Sequence, residues 1–468
     1  MSANDVRARA VRPPAFDGVT AAALALSVRL VTVLWASGRF PPAEDGRFYE
    51  IVARRIARGL GYTWLWPDGT VTYAAHYPVG YPGLVAGLYA VFGEQPVAAM
   101  IANALLGAVA AFAVHRVAAT AASRAGAATA ALAFALHPGL VLYTPALMTE
   151  GVTASLLAVA AWFVVGARDG GRTRWPYLVA LALTLGAATL VRPQSLLLAP
   201  LYGFLAAGAD APRWRAVVAV AVTAGAVSVC LPWTLRNCER MHSCALVSVN
   251  AGWNLFIGAA PGATGSFVPI EKLGVPAECR TVWDEAAKDA CFLAAGKRDI
   301  AEEPLRWLAL IPKKLGDTFD YAGAAGFYLH SSNPAAFDER AKTLLGVVET
   351  LFQRLIVLAS LFALARIPGP RGKARRTVSG ASAAWLVVRS AWIAHMGVVV
   401  SAVMLGRKLT NHPAAALAAS TVFATALTHA AFFGAGRYSL VCFPALVALA
   451  GTALTAEEET GDTDSKEP

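Results

Sequence analysis

Apolar runs close to twenty residues long recur along the chain. The first extends from about Gly18 to Ser37, and others follow near 96–114, 124–143, 147–166, 175–191, 193–208, 214–234, 344–366, 384–405, 412–432 and 438–455. A helix rises about 1.5 Å per residue, so runs of this length match the hydrocarbon core of a bilayer. The core of a soluble domain does not need them. Only 15% of the 468 residues are charged and 57% are hydrophobic, against about 25% charged in a typical soluble domain. The expected fold is therefore an all-α polytopic membrane protein with about 11–13 transmembrane helices.

The net charge of +10 invites a nucleic-acid partner, but no compact basic domain carries it. Most of the excess lies in short loops between apolar runs, where Lys and Arg orient a membrane protein. Arg7, Arg9 and Arg12 place the amino terminus inside, and the first run is long with no clean A-x-A-like site after it, so an uncleaved first span is expected. The same rule puts Arg116 and Arg124, then Arg168, Arg172 and Arg174, then Arg213 and Arg215, and then Arg366 to Arg376 inside. Segments 38–95 and 236–343 and the link from Thr144 to Met148 fall outside. Beyond residue 376 the rule fails if 384–405 crosses once, because Arg407 and Lys408 would then lie outside. That run also holds Arg389 and His395, which are costly in lipid. It is expected to be re-entrant, interfacial or split into a pair. The acidic tail after Thr455 reads as disordered.

The first outside segment opens with PPAEDGRFYEIVARRIARGLGYTW, from Pro41 to Trp64. Phe48, Ile51, Val52, Ile56 and Leu60 share one helical face, with Arg47, Glu50, Arg54 and Arg58 opposite, which predicts an amphipathic helix in the interface. His76 to Gly93 holds an apolar run too brief to span and broken by Pro and Gly, so it is expected to dip in part way. The second outside segment is turn-rich near Trp253 to Phe267 and reads as helical from about Pro304 to Phe319. It carries four of the six cysteines. An oxidising compartment favours bridges, and sequence proximity pairs Cys238 with Cys244 and Cys279 with Cys291. Cys230 and Cys442 are expected to be packing residues.

Several ionisable residues gather at the outer surface in this frame. Asp45 and Glu44 form an acid pair where the chain leaves the first span. Asp45 either caps the helix beginning near Arg47 or acts as a carboxylate that accepts a proton from, or orients, a hydroxyl. Glu150 begins an apolar run, either as a charge complementing the helix dipole or as a second site carboxylate. Arg192 and Arg437 run against the positive-inside trend; each either snorkels or holds an anion. Arg236, Lys313 and Lys314 approach the same surface. Arginine suits a phosphate through bidentate charge-assisted bonds, and a lipid phosphate would present its head at this depth. No P-loop, HExxH or GxSxG stands in a suitable context. A transporter or flippase of lipid-linked glycans would place ionisable residues at mid-membrane and show half-sequence symmetry; here the acids cluster at one face.

Seven segments occur in an order that resembles the GT-C membrane glycosyltransferases, in the bacterial branch related to dolichyl-phosphate-mannose protein mannosyltransferases and the lipid A aminoarabinose transferase. They are EDGRFYEIVARRIARGLGYT, HYPVGYPGLVAGLYAVFG, LMTEGV, LVRPQSLLLAP, PWTLRN, VSVNAGWNLFIGAAPGATGS and FFGAGRYSLVCFPALVALAG. The resemblance implies a GT-C module over 1–235 with a catalytic first periplasmic loop (38–95), a periplasmic loop region at 236–343, closing transmembrane helices at 344–455 and the tail at 456–468. It also implies a bacterial inner-membrane protein with a periplasmic active site. A polyprenyl-phosphate sugar would be the donor, and a glycan, lipid or protein hydroxyl the acceptor, with inversion at the anomeric carbon. Asp45 matches the family's catalytic acid, Glu44 less well. Glu150, a further catalytic candidate, matches with Arg192 and Arg437 polar positions near the donor phosphate, and Arg236, Lys314 and Tyr438 are expected there too. His76, Tyr77, Tyr81, Trp253 and Asn254 are expected to contact substrate. Membrane lipids are the other expected partners. Relatives often carry a second acid directly after the first, whereas Gly46 follows Asp45 here, which puts a two-carboxylate metal site in doubt and leaves a divalent metal as an open expectation.

Overall fold

The computed structural model describes residues 16–169, 171, 174–208, 210–388 and 390–454. Arg7, Arg9, Arg12, Arg172, Arg389 and the acidic tail lie outside them.

The described residues are mostly helical. In the first half, α1 (Gly18–Ala36) is followed by α2 (Asp45–Ala57), α3 (Gly80–Phe92), α4 (Pro96–Ala118), α5 (Arg124–Ala135), α6 (Pro138–Leu142), α7 (Thr149–Asp169), α8 (Arg174–Val191), α9 (Leu198–Ala206) and α10 (Pro212–Arg240). The second half holds α11 (Ala251–Ala259), α12 (Ile270–Leu273), α13 (Ala277–Arg280), α14 (Glu285–Glu302), α15 (Pro304–Ala309), α16 (Ile311–Phe319) and α17 (Ala324–Ser332). It closes with α18 (Glu339–Arg366), α19 (Gly372–Val388), α20 (Ala391–Val403), α21 (Pro413–Ala431) and α22 (Phe443–Gly451). Nine segments among the described residues are long and apolar enough to cross a bilayer, and α3 and α20 are shorter apolar helices. The protein is a multi-pass membrane protein.

Helix α7 is the bundle's centre, packed on α4, α8, α9 and the segment after α21. Its Ala, Ser and Thr residues are buried on several sides, and such small side chains let neighbouring backbones approach closely. Thr153, Ser155 and Thr189 return their hydroxyls to carbonyls four residues back, which satisfies them without a partner helix.

The uncertain run at 384–405 is a split pair. Helices α19 and α20 pack side by side as an antiparallel hairpin, with Ser379 Oγ 2.9 Å from Ser401 Oγ. This hairpin brings Arg407 and Lys408 back to the basic end. There Lys408 lies against Gly369, and Arg168 donates to the Leu205 and Thr410 carbonyls. His395 is buried and held by the Ala391 carbonyl.

At the other end, α2 buries Tyr49, Val52 and Ala53 and leaves Phe48 and Ile51 partly exposed. That split suits a helix with one side on protein and another toward lipid. Arg54 and Arg58 both reach Glu94, just past α3. A short antiparallel hairpin, β1 (Thr63–Leu65) with β2 (Val71–Tyr73), pairs Trp64 opposite Thr72. Helix α3, at thirteen residues, is about 20 Å long, too short to span. The stretch from Pro304 to Phe319 is two helices, broken where Pro312 follows Leu310 and Ile311. Both cysteine pairs, Cys238–Cys244 and Cys279–Cys291, are disulfides, and Cys230 and Cys442 are free and buried. Helices α11 and α14 pack around Phe256, Ile257 and Phe292, and this small core extends to Phe433 and Tyr438.

Candidate active site

Four charged residues scattered over nearly 400 positions form one chain of contacts. Arg437 Nη1 lies 2.9 Å from Asp45 Oδ2, and its Nε 3.4 Å from Glu150 Oε1. The same Glu150 oxygen takes Arg192 Nη1 at 2.7 Å, and Tyr143 donates to Glu150 Oε2 at 2.9 Å. Local structure sets up the two acids: Asp45 lies in the first turn of α2 and Glu150 in the first turn of α7. The partial positive charge of a helix amino terminus favours a carboxylate there. Asp45 does not cap a helix from outside, since α2 starts at Asp45 itself and the residue before it makes no side-chain cap. Arg437 follows Gly436, after α21 ends, on a short 3-10 turn.

Asp45 and Arg437 face a cavity of ≈ 840 Å³ whose wall also includes Glu44, Lys313, Asp317 and Asp320 together with aromatic rings such as Trp392 and Tyr438. Glu150 and Arg192 stand behind that wall. Arg192 also donates to Thr149 Oγ1 at 3.1 Å and lies over the Tyr438 ring, 5.0 Å from its centroid. Its place is support for Glu150 instead of the cavity surface. Tyr438 stacks on His429 with centroids 4.2 Å apart.

Tyr77 reaches the cluster, its hydroxyl 3.3 Å from Asp45 Oδ1. Burial, and then the Asp45 charge, pushes its phenol well above the ordinary range, so it is a donor at any physiological pH. Its neighbours in the expected set do different things. The ring of His76 sits between Tyr77 and Trp253; burial lowers its pKa to about 4. Tyr81 is buried and bonded to Asn103. Trp253 packs on Phe292, and Asn254 lies on α11. None of these four lines the cavity.

Two of the residues expected near the phosphate bond to backbone carbonyls. Arg236 donates to the Ala74 and Tyr62 carbonyls, 2.8 Å each, and lies over Trp233; it clamps the β-hairpin loop to α10. Lys314 is buried and donates to the Ala430 and Ala431 carbonyls at the end of α21, where a helix leaves carbonyls unpaired. Its neighbour Lys313 faces the cavity, paired with Asp317 at 3.1 Å.

Residues that carry no distinguishing mark in the sequence complete the site. Tyr143 sits in an apolar link. Glu285 accepts from Trp64 Nε1 at 2.5 Å and from the backbone of Ala75 and His76, tying the second outside segment to the first; burial pushes its carboxyl up. Asp320 accepts from the Trp392 backbone at the start of α20. No group of three or more potential metal ligands comes together among the described residues. Beside Asp45, whose oxygens face Arg437 and Tyr77, the second acid of a metal pair would stand at position 46. A side chain there meets the Leu147 carbonyl at 2.9 Å. Position 46 therefore does not fit the second carboxylate of the pattern that the resemblance implies.

With this geometry in view, residues 76–235, about a third of the chain, match the family model described as dolichyl-phosphate-mannose-protein mannosyltransferase. The resemblance to GT-C membrane glycosyltransferases stands over this stretch, which includes Glu150 and Arg192. No curated protein sequence matches the chain. Solved structures resemble it at low identity. The Archaeoglobus fulgidus oligosaccharyltransferase tethered with an acceptor peptide is 14% identical, with a TM-score of 0.45 over 93% of this chain and 48% of that one. The archaeal oligosaccharyltransferase AglB from the same organism, in complex with an inhibitory peptide and a dolichol-phosphate, is 15% identical, with a TM-score of 0.45 over 93% and 49%. ArnT from Cupriavidus metallidurans bound to undecaprenyl phosphate is 16% identical, with a TM-score of 0.39 over 93% and 77%. The chain thus spans about half the length of the oligosaccharyltransferases.

Proposed function

We propose that the protein is a membrane glycosyltransferase that moves a sugar from a polyprenyl-phosphate donor to an acceptor hydroxyl, with inversion. One observation carries this reading: a carboxylate and a guanidinium, Asp45 and Arg437, side by side on the wall of a large cavity. In this mechanism the acceptor oxygen attacks the anomeric carbon, and its proton passes to Asp45. The bond from that carbon to the phosphate oxygen breaks, and the lipid phosphate leaves. Arg437 has five N–H donors in a fixed fork, and its contacts to Asp45 and Glu150 use Nη1 and Nε. Its Nη2 makes only a long contact to the Tyr438 hydroxyl, 3.5 Å, which a phosphate can replace as its charge grows, where a preorganised donor counts most. Glu150, buried behind Arg437, fixes its orientation, and Arg192 fixes Glu150.

The site lies at the end of the bundle opposite Arg168, Arg366 and Lys408. Positive-inside orientation therefore makes it face outward, the periplasm if the membrane is a bacterial inner membrane. The disulfides of the same layer suit that oxidising side. Reconstituted protein given a radiolabelled polyprenyl-phosphate sugar and an envelope extract should release polyprenyl phosphate and label an acceptor. Asp45→Asn should lower the rate by about 10²–10⁴. Undiminished turnover in that variant removes Asp45 from the role.

A further inference from the structure

Two backbone N–H groups point at one phenol oxygen. Tyr328, on α17, accepts from Ala43 N at 3.2 Å and from Leu147 N at 3.3 Å. Ala43 lies two residues before Asp45, and Leu147 three before Glu150. The ring is buried and packs edge-on to Tyr143, with centroids 6.0 Å apart. Tyr143 in turn holds Glu150. The start of α17 is itself fixed from the last third of the chain: buried Glu349, on α18, accepts from Ala324 N at 3.1 Å. Burial raises the Tyr328 phenol to about 12, so it stays an uncharged acceptor.

The contact requires a close approach. A Cβ at Gly46 would stand 2.9 Å from the Leu147 carbonyl oxygen and 3.2 Å from Tyr328 Oη. The glycine after the acid is the residue that lets the start of α2 lie against the link before α7.

We infer that Tyr328 is a positioning residue: its single hydroxyl oxygen sets the spacing between the strand of chain bearing Asp45 and the one bearing Glu150. This rests on the reading of Asp45 as base and Arg437 as phosphate ligand. Arg437 bridges both acids, so the spacing decides whether its fork aims at the leaving phosphate while Asp45 reaches the acceptor hydroxyl. A displacement near 1 Å in such a site costs about a hundredfold in rate.

The test uses the full chain in nanodiscs, with Tyr328→Phe, Gly46→Ala and the double variant. Tyr328→Phe keeps the ring and removes the acceptor. It should lower kcat by about tenfold to a hundredfold while leaving the KM for the radiolabelled donor within about twofold, because the variant keeps the ring that Tyr328 contributes to the cavity wall. Gly46→Ala should do the same by forcing the segments apart. The double variant should fall well short of the product of the two effects, since one spacing is disturbed by both. Hydrogen exchange gives a readout independent of catalysis. In Tyr328→Phe, peptides covering 40–50 and 143–150 should exchange about tenfold faster, with the other helices unchanged. Tyr328→Phe with wild-type kcat, effects that multiply in the double variant, or exchange rising uniformly along the chain would each overturn the inference. If the wild-type protein leaves the donor intact, the reaction reading fails, and the exchange pattern still decides the role of Tyr328.

Discussion

Glu150 offers the sharpest test of how the site is held together. Its side chain is 2% exposed, accepts from Arg192 and Tyr143, and is ion-paired at longer range with Arg437. Glu150→Gln keeps the shape and removes the charge. One of its two oxygens becomes an NH2 group that faces donors, so at least one charge-assisted bond is lost. Arg192, 12% exposed in its side chain, is left without an anion. Removing one partner of a buried ion pair costs about 3–5 kcal/mol, mostly because the other charge stays buried. In a chain this long that corresponds to a fall in Tm of about 5 °C, measured at one fixed scan rate because membrane proteins often unfold irreversibly. The sign of a ligand effect then separates this account from a generic loss of packing. A polyprenyl phosphate brings an anion to Arg437, which faces the cavity and in the variant keeps only Asp45, so it should raise the Tm of Glu150→Gln more than that of the wild type. A variant that melts like the wild type, or one that gains no more from the lipid phosphate, would refute the reasoning.

Two further perturbations test other parts. Glu44 has φ 51° and ψ −137°, a region where side chains are strained by about 1–3 kcal/mol. Glu44→Gly should therefore raise Tm by the equivalent of about 1 kcal/mol after the added chain entropy of glycine is set against it, and should keep turnover, since Asp45 is the base; loss of activity would move the role to Glu44. Burial lowers Lys314 from 10.5 to about 8, so between those values the unfolded chain binds the proton and the folded chain does not. Stability should then rise with pH from about 8 to 10.5 and fall as pH drops through 8. Lys314→Met should flatten that slope, which thermal melts across the pH range would show.

The membrane character, the basic end and the interfacial α2 were legible because each depends on local pattern: run length, loop charge and a helical face. Asp45, Glu150 and Arg437 were legible as candidates for a related reason. A charge at the edge of an apolar run is costly and so stands out against its surroundings. Arg236 and Lys314 stood out equally, yet their donors go to the carbonyls of Tyr62, Ala74, Ala430 and Ala431. Sequence alone cannot tell a cation that satisfies buried backbone from one that waits for an anion, since both are held at the same depth. The run at 384–405 was ambiguous because hydropathy counts apolar residues and does not see the turn that divides α19 from α20.

The amino-acid order alone determined that this chain lies in a bilayer, how most of it is oriented and which side chains are out of place there, because insertion energy is set by local composition. Only the tertiary structure decided which of those side chains meet. Asp45, Glu150, Arg192 and Arg437 come from four separate segments, and their contacts depend on how helices pack across hundreds of residues. That packing also gave Tyr328 and Gly46 their significance: one supplies an acceptor and the other an absence of volume, and neither property means anything until two distant backbones are brought within hydrogen-bonding reach.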